Sequence, residues 1–191
     1  MKTRCKWAGS DHLYIDYHDR EWGVMVHDDR KLFEFLILEG AQAGLSWITI
    51  LKKRENYRMA FDNFDPEKIS CYDSGKIGSL LANEGIIRNR LKIESAILNA
   101  KSFLAVKREF GSFDTYVWKF TGGKQIRNSW TEQSRIPSVT KESIAMSRDM
   151  KKRDFKFVGP TICYAFMQAV GMVNDHTVDC FRYNEVLKSG G

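Results

Sequence analysis

Two pairs of cysteine and histidine residues stand near opposite ends of the sequence. Cys5 and His18 are separated by twelve residues, whereas His176 and Cys180 lie at i and i+4, a spacing that projects from one face of a helical turn. Two thiolates and two imidazoles suit a closed tetrahedral zinc site, which is structural because it has no vacant position. The alternative is coincidence, since the chain offers four cysteines and four histidines.

A structural zinc ion, one per chain, would join the N-terminal segment to the C-terminal segment, both of which look poor in regular structure. Cys71 and Cys163 lie in or beside apolar helical stretches and are typical of core thiols. A catalytic zinc is not favoured, because the sequence contains no HExxH and no HxE with PCxxC.

Five aromatic residues and one carboxylate form a candidate pocket. An enzyme that acts on a nucleobase must flip it out, hold it between aromatic faces and read its edge with polar groups. A cationic base gains further from electron-rich rings and a carboxylate. The carboxylate is Glu39, at the end of the apolar run FEFLILEGAQAGLSW; the alternative is a set of core rings with Glu39 on the surface. The rings are those of Trp7, Tyr14, Tyr17, Trp22 and Trp47.

The segment KKRDFKFVGPTICYAF predicts a second binding feature, a hairpin between two helices. Gly159 would let the backbone approach a ligand, and Pro160 opens a helix whose free amides suit a phosphate. Such a hairpin could clamp a DNA backbone without reading its sequence. An ordinary helix connection with solvated lysines is the alternative. The surrounding basic residues are Lys151, Lys152, Arg153 and Lys156.

Apolar periodicity and capping residues predict a mostly helical chain, and no alternating strand pair stands out. Asp28 or Asp29 begins a helix that breaks at Gly40 to Gly44, and Ser46 is a plausible cap for the next. Later helices are predicted after Asp65-Pro66, through DSGKIGSLLANEG, from about Arg88 to Phe110, through SFDTYVWKF, over 141–152 and from Pro160 through Met172. The prediction is one all-α unit over 1–191, a central helical bundle with a zinc-binding lobe formed by both termini.

The net charge of +6 and the pI of about 9.1 favour an anionic partner, nucleic acid ahead of membrane. The start, MKTRCKWAGSDH, has no apolar signal core, and no run approaches the roughly 20 apolar residues of a membrane helix. We therefore expect a cytoplasmic protein in a reducing compartment, with its cysteines as thiols or metal ligands.

The sequence resembles the bacterial 3-methyladenine DNA glycosylase I family, within the helix–hairpin–helix glycosylase superfamily. The matching segments span nearly the whole chain in order. They are RCKWAGSDHLYIDYHDREWGV, LEGAQAGLSWITILKKRENYRMAF, GIIRNRLKIESAILNA, FKFVGPTICYAFMQAVGMVNDH and HTVDC. The resemblance implies the helix–hairpin–helix glycosylase fold and a monofunctional enzyme that hydrolyses the N-glycosidic bond of 3-methyladenine in alkylated DNA, leaving an abasic site.

The resemblance also implies roles for individual residues. Glu39 would hydrogen-bond the edge of the flipped base with Tyr17 beside it, and these two are the expected catalytic residues. Trp47 would stack on the base, while Trp7 and Trp22 would line the pocket. The expected zinc ligands are Cys5, His18, His176 and Cys180. The expected DNA contacts are Lys152, Lys156, Gly159 and Leu45, the last as a wedge that fills the gap in the base stack.

One position departs from the wider superfamily, many of whose members carry a catalytic aspartate shortly after the hairpin. Asn174 appears at the comparable place, which speaks against an aspartate-driven mechanism. The loss is tolerable because N3-methylation makes the purine a cation and hence a good leaving group. Positioning and electrostatics then dominate, and no lysine nucleophile or lyase activity is expected.

Three rival functions stay open at the level of sequence. They are a non-catalytic zinc-dependent DNA-binding module, a zinc hydrolase of a small molecule, and a glycosylase with a different lesion range. Neither of the first two needs the pocket of Glu39, Tyr17 and Trp47. The expected partner is damaged double-stranded DNA, with no membrane, no required protein partner and a monomeric state.

Overall fold

The computed structural model describes residues 2–186, so the predicted unit over 1–191 extends beyond it at both ends. The described part is mostly helical, with a few short 3₁₀ turns. Its helices are α1 (His12–Arg20), α2 (Asp29–Gln42), α3 (Trp47–Ala60), α4 (Pro66–Ile69), α5 (Ser74–Ala82), α6 (Arg90–Phe110), α7 (Phe113–Trp118), α8 (Lys141–Lys152), α9 (Pro160–Ala169) and α10 (Arg182–Glu185).

Helix α2 lies at the centre of the bundle and contacts α3, α6, α7 and α9. Seven consecutive residues, 35–41, are apolar or small except for the carboxylate of Glu39, and nine of the last eleven positions of the helix are buried, around its whole circumference. A helix that is apolar all round must be enclosed by others. Its C-terminal turn brings Glu39 into the interior of the protein.

Local capping signals place several helices where the sequence predicts them. The Asp28 side chain accepts a hydrogen bond from Lys31 N at the start of α2, and Asp65 caps α4 ahead of Pro66. Two boundaries differ from prediction. Helix α6 begins at Arg90 because Asn89 caps it, and α5 ends at Ala82, since the Asn83 side chain turns the chain by accepting from Gly85 N.

The expectation of a chain without strand pairing is wrong at one place. Strands β1 (Ile126–Arg127) and β2 (Val173–Asn174) pair in parallel, with Ile126 opposite Val173. Two residues are too few to produce an alternating pattern, so the sequence carries no sign of them. Because β2 follows directly, α9 ends at Ala169, before the predicted Met172.

The connection between α8 and α9, residues 153–159, is a tight hairpin; we call it the hairpin below. Asp154 and Phe157 both adopt positive φ angles, 66° and 53°, which non-glycine residues rarely do. Side chains from the body hold this backbone: the Ser147 hydroxyl donates to Val158 O at 2.6 Å. Gly159 is the N-cap of α9 with an ordinary φ of −62° and open space around its Cα.

The two ends of the described chain meet. Phe181 N donates to Thr3 O at 3.0 Å, which sets the N-terminal segment beside residues 176–181. Across residues 2–186, none of the helices is both long and apolar enough to cross a lipid bilayer.

Candidate functional site

The four predicted metal ligands converge on one point. The Sγ atoms of Cys5 and Cys180 and one ring nitrogen each of His18 and His176 all lie within 4.8 Å of one another. Cys180 Sγ is 3.5 Å from His18 Nε2 and from His176 Nδ1, and Cys5 Sγ is also 3.5 Å from His176 Nδ1. All four residues are buried. A buried set of two thiols and two imidazoles at this spacing could hold a metal ion.

The second ring nitrogen of each histidine is fixed by another group. His18 Nδ1 lies 2.8 Å from Asp19 Oδ1, and Arg4 in turn holds that carboxylate through two guanidinium nitrogens. His176 Nε2 lies 3.0 Å from the carbonyl oxygen of Trp22. Partners of this kind orient histidine ligands in metal sites, so the surroundings as well as the donor atoms fit a metal.

The backbone between His176 and Cys180 is not helical. Residues 176–180 form a turn and not a turn of α-helix, with Cys180 N donating to Thr177 O at 2.8 Å. The turn still brings His176 and Cys180 together. Hydrogen bonds from the Cys5 thiol and then from the two imidazoles lower the pKa of the Cys180 thiol, which favours the thiolate that a metal requires.

The candidate base pocket lies next to this cluster, as a cavity of about 330 Å³. It is large enough for a single purine base and opens to solvent at one side. All five predicted catalytic and base-binding residues line it, together with others that the sequence did not indicate. The lining residues are Trp7, Tyr14, Tyr17, Trp22, Glu39, Gln42, Trp47, Gln133, Ile136, Pro137, Ala165 and Gln168.

Glu39 is the only carboxylate among these lining residues, and its side chain is 4% exposed. Burial raises its pKa from the usual 4.5 to about 8, and no cation or hydrogen-bond donor of residues 2–186 opposes that rise. Tyr14 and Tyr17 face it; burial and then the charge of Glu39 raise the pKa of each phenol. The pocket therefore favours a neutral Glu39 near pH 7, because none of the lining residues offers its ionised form a cationic partner.

The burial of Glu39 predicts an unusual pH dependence of stability. In the folded chain the carboxyl stays protonated up to about pH 8, whereas the unfolded chain ionises it above about 4.5. Unfolding then releases a proton between these limits. As the pH rises from about 4.5 to about 8, the free energy of unfolding of the wild-type protein should therefore fall by about 1.4 kcal/mol per pH unit relative to that of Glu39→Gln. Urea unfolding of both proteins at pH 5, 6, 7 and 8 measures the difference. Parallel stability curves would contradict the burial argument.

Contacts between the aromatic rings limit where a base could stack in the pocket. Tyr17 and Trp47 have ring centroids 5.5 Å apart at 51°, so they are in contact and cannot hold a base between them. A base can lie on the free face of Trp47 with Tyr17 at its side. The indole N–H groups of Trp7 and Trp47 are buried and have no acceptor among the described residues.

The pocket wall packs directly against the ligand cluster. The Trp22 ring meets the His176 ring edge-on at a centroid distance of 4.7 Å, and Trp7 meets His18 at 5.2 Å. Trp7 and Trp22 also contact each other at 4.9 Å. The ring positions in the pocket consequently depend on where the two histidines are held.

Sequence reasoning missed the opposite wall, which an irregular segment over 128–137 provides. Asp175, fully buried, anchors this segment by accepting from Asn128 Nδ2 at 2.6 Å and Trp130 Nε1 at 2.7 Å. Its other oxygen accepts from Tyr164 and from Gln168, itself a lining residue. Such contacts join distant parts of the chain, so no local pattern could have predicted them.

Asn174, at the position of the superfamily aspartate, does not line the pocket. Its Nδ2 donates to Tyr183 O at 2.9 Å, and its Oδ1 accepts from His176 N at 3.2 Å. The residue is fully buried and shapes the metal-ligand turn.

A second cavity, of about 370 Å³, continues from the pocket towards the predicted DNA contacts. It shares Glu39 with the pocket and runs between the loop 43–46 and the start of α9 at Thr161 and Ile162. Leu45 stands at its rim, 41% exposed. We call residues 43–46 the Leu45 loop.

The predicted basic residues divide into two groups. Lys152 and Lys156 are exposed at the end of α8 and in the hairpin, near Gly159. Arg153 forms a two-point ion pair with Glu109 at 2.6 and 3.0 Å. Arg153 thus helps to hold α8 to α6, and the exposed members of the predicted basic set are its lysines.

Comparison with known proteins decides the family. A sequence profile described as methyladenine glycosylase matches residues 7–183. The chain belongs to the methyladenine glycosylase family. A DNA-3-methyladenine glycosylase of Haemophilus influenzae is 49% identical over 180 residues, which cover 94% of this chain and 97% of that protein. DNA-3-methyladenine glycosylase 1 of Escherichia coli is 51% identical over 94% of this chain and 96% of its own length.

A solved structure of a methyladenine glycosylase has the same fold. The crystal structure of 3-methyladenine DNA glycosylase I superposes with a TM-score of 0.92 at 52% identity, covering 94% of this chain and 98% of that one. The predicted membership of the methyladenine glycosylase family is thereby confirmed, as is the mostly helical fold.

Proposed function

We propose that this protein is a DNA-3-methyladenine glycosylase, which hydrolyses the N-glycosidic bond of 3-methyladenine in alkylated DNA. The observation that carries the proposal is the unpartnered carboxylate of Glu39 in a purine-sized aromatic pocket. The family match and two relatives of that name, each about half identical over nearly the full length, support it. The reaction is base excision, the first step of a repair pathway.

The charge of the lesion explains why such a pocket would select it. A purine methylated at N3 is a cation while it is still attached to the sugar. When this base enters the pocket, it provides the cationic partner that the ionised carboxylate of Glu39 otherwise lacks. The aromatic faces of Trp47 and Tyr17 add to the attraction. Undamaged adenine is neutral and offers the carboxylate no such partner. The ionisation of Glu39 is therefore coupled to binding of the charged base.

The chemistry then requires little further help. When the bond between the sugar C1′ and the purine N9 breaks, its electron pair goes to the purine and neutralises it. Water attacks the resulting oxocarbenium-like sugar and loses a proton, which leaves an abasic site. No group of this chain forms a covalent link in this scheme, so the enzyme is monofunctional. Positioning of base and water supplies most of the rate enhancement.

The DNA would bind over the second cavity, with the Leu45 loop on one side and the hairpin on the other. Leu45 is the proposed wedge, an exposed apolar side chain beside the entrance through which the base would pass. Lys152, Lys156 and the amides after Gly159 would hold phosphates, as in a helix–hairpin–helix clamp. We further propose that the protein acts as a monomer in the cytoplasm.

The metal in this proposal is zinc with a structural role. Cys5, His18, His176 and Cys180 would hold it, since two thiolates and two imidazoles fill a tetrahedral site without leaving a position for substrate. When bound, it would supply a cross-link between the chain ends and no chemistry at the sugar. The small-molecule zinc hydrolase is not favoured, because the pocket lies beside the ligand cluster and not over it.

Release of free 3-methyladenine from methylated duplex DNA tests the proposed function. We expect the wild-type protein to release it and to leave alkali-labile abasic sites without cutting the strand. 7-Methylguanine in the same DNA measures the lesion range, because it carries the same charge with a methyl group at a different edge. If the metal-loaded protein bound this DNA but released neither base, the non-catalytic binding module would be the correct function.

A further inference from the structure

Two loops that flank the pocket entrance are both tied to a single helix. Lys92 and Asn99 stand seven residues apart on α6, hence two turns apart on the same face. Lys92 reaches the Leu45 loop and Asn99 reaches the hairpin. Neither residue lines the pocket.

Lys92 closes the end of α2. Its ammonium group donates to Ala41 O at 2.7 Å and to Ala43 O at 2.8 Å. Carbonyl groups at the end of a helix lack partners within it, and a cation there also complements the helix dipole. The contact fixes the direction in which the chain leaves α2, and so the place of Leu45.

Asn99 holds the hairpin through the backbone N–H and the carbonyl of a single residue, Lys156. The buried Asn99 amide accepts from Lys156 N at 2.7 Å and donates to Lys156 O at 3.1 Å. The neighbouring Asp154 and Phe157 have left-handed backbone angles, which persist only where the surroundings impose them. The clasp therefore sets the position of the hairpin relative to α6.

The hairpin also touches the helix that carries the pocket carboxylate. A Cβ atom at Gly40 would lie 3.3 Å from the Cβ of Phe157, so the hairpin packs directly on α2 at the residue after Glu39. The Leu45 loop, the hairpin and the pocket end of α2 are thus held by one scaffold of side chains from α6.

We propose that Lys92 and Asn99 are positioning residues, which hold the Leu45 loop and the hairpin at a fixed separation so that a gripped DNA strand presents its flipped base to the pocket. This rests on the proposed function. A free base needs only the pocket, whereas a base in DNA needs the two loops in register. Loss of either residue should therefore impair excision from DNA without weakening binding of the free base.

The first experiment compares Lys92→Met with Lys101→Met. Lys101 is an exposed lysine on the same helix, so both variants lose one positive charge and keep an aliphatic side chain. We expect Lys92→Met to lower kcat/KM for excision from methylated duplex by about 10-fold or more. Its Kd for free 3-methyladenine, followed by tryptophan fluorescence, should stay within about twofold of wild type. Lys101→Met should match wild type in both measurements.

The second variant, Asn99→Ala, should bind duplex DNA about 10-fold more weakly, with free-base binding unchanged. If it does not fold, the Lys92 comparison decides alone. Equal excision by Lys92→Met and Lys101→Met would overturn the inference, and so would a parallel loss of free-base binding. Failure of the wild-type protein to release 3-methyladenine would instead contradict the proposed function itself.

Discussion

Replacing Glu39 by glutamine should lower kcat/KM for excision of 3-methyladenine by about 100-fold while making the folded protein more stable near neutral pH. The carboxyl is buried without a partner, and burial raises its pKa to about 8. Removing it should therefore increase the free energy of unfolding of the protein without substrate. The cationic base loses its only negatively charged contact among the residues that line the pocket. A group that destabilises the free protein and is needed by the substrate marks a site built for binding.

The measurement is release of labelled 3-methyladenine under conditions where substrate is below KM, with urea unfolding of the same samples. Glu84→Gln is the matched control, because Glu84 is exposed between α5 and α6, its ion pair with Arg88 is long at 3.5 Å, and its substitution removes the same charge. It should leave both activity and stability near wild type. Full activity of Glu39→Gln would exclude the proposed role of this carboxylate, even if its stability rose as expected.

The second large effect is expected at the ligand cluster. Cys180→Ser should abolish stoichiometric zinc and lower the melting temperature by about 10 °C or more, since a structural metal contributes several kcal/mol to a domain of this size. Because His18 and His176 pack against Trp7 and Trp22, we also expect a changed tryptophan spectrum and weaker base binding. Metal analysis, melting curves and fluorescence of the purified protein test these expectations.

Two other cysteines provide controls for that experiment. Cys71→Ser changes an exposed thiol and should alter neither metal content nor melting temperature. Cys163→Ser changes a buried thiol that donates to Val158 O, so it should lower the melting temperature but retain one zinc ion per chain. A melting temperature of Cys180→Ser equal to wild type would contradict a structural metal at this cluster.

The sequence predicted the parts of the molecule that depend on local signals. Caps such as Asp28 and Asp65 act within one helical turn, so the starts of α2 and α4 follow from neighbouring residues. The candidate ligands and the aromatic cluster were recognised because their chemistry is unusual for their surroundings. That they belong together, in two adjoining sites, came from the resemblance to a family and from the structure.

The remaining parts depend on contacts between distant segments. Three pocket residues lie in the irregular segment 128–137, which Asp175 anchors through Asn128 and Trp130. They are Gln133, Ile136 and Pro137. The paired strands are too short to leave a pattern, and the turn at 176–180 lies beside the N-terminal segment, where Phe181 N donates to Thr3 O. In each case the deciding energy lies between residues that are far apart in the chain.

The position of the ligand cluster has a consequence for the order of events during synthesis. A chain emerges from its N-terminus, so Cys5, His18 and most of the pocket aromatics are made first. The site that fixes their neighbours also needs His176 and Cys180, and His176 is made 158 residues after His18 (176 − 18). The pocket can therefore mature only after the chain has been made as far as Cys180. A nascent or prematurely terminated chain would carry the base-recognising residues yet be unable to recognise a lesion.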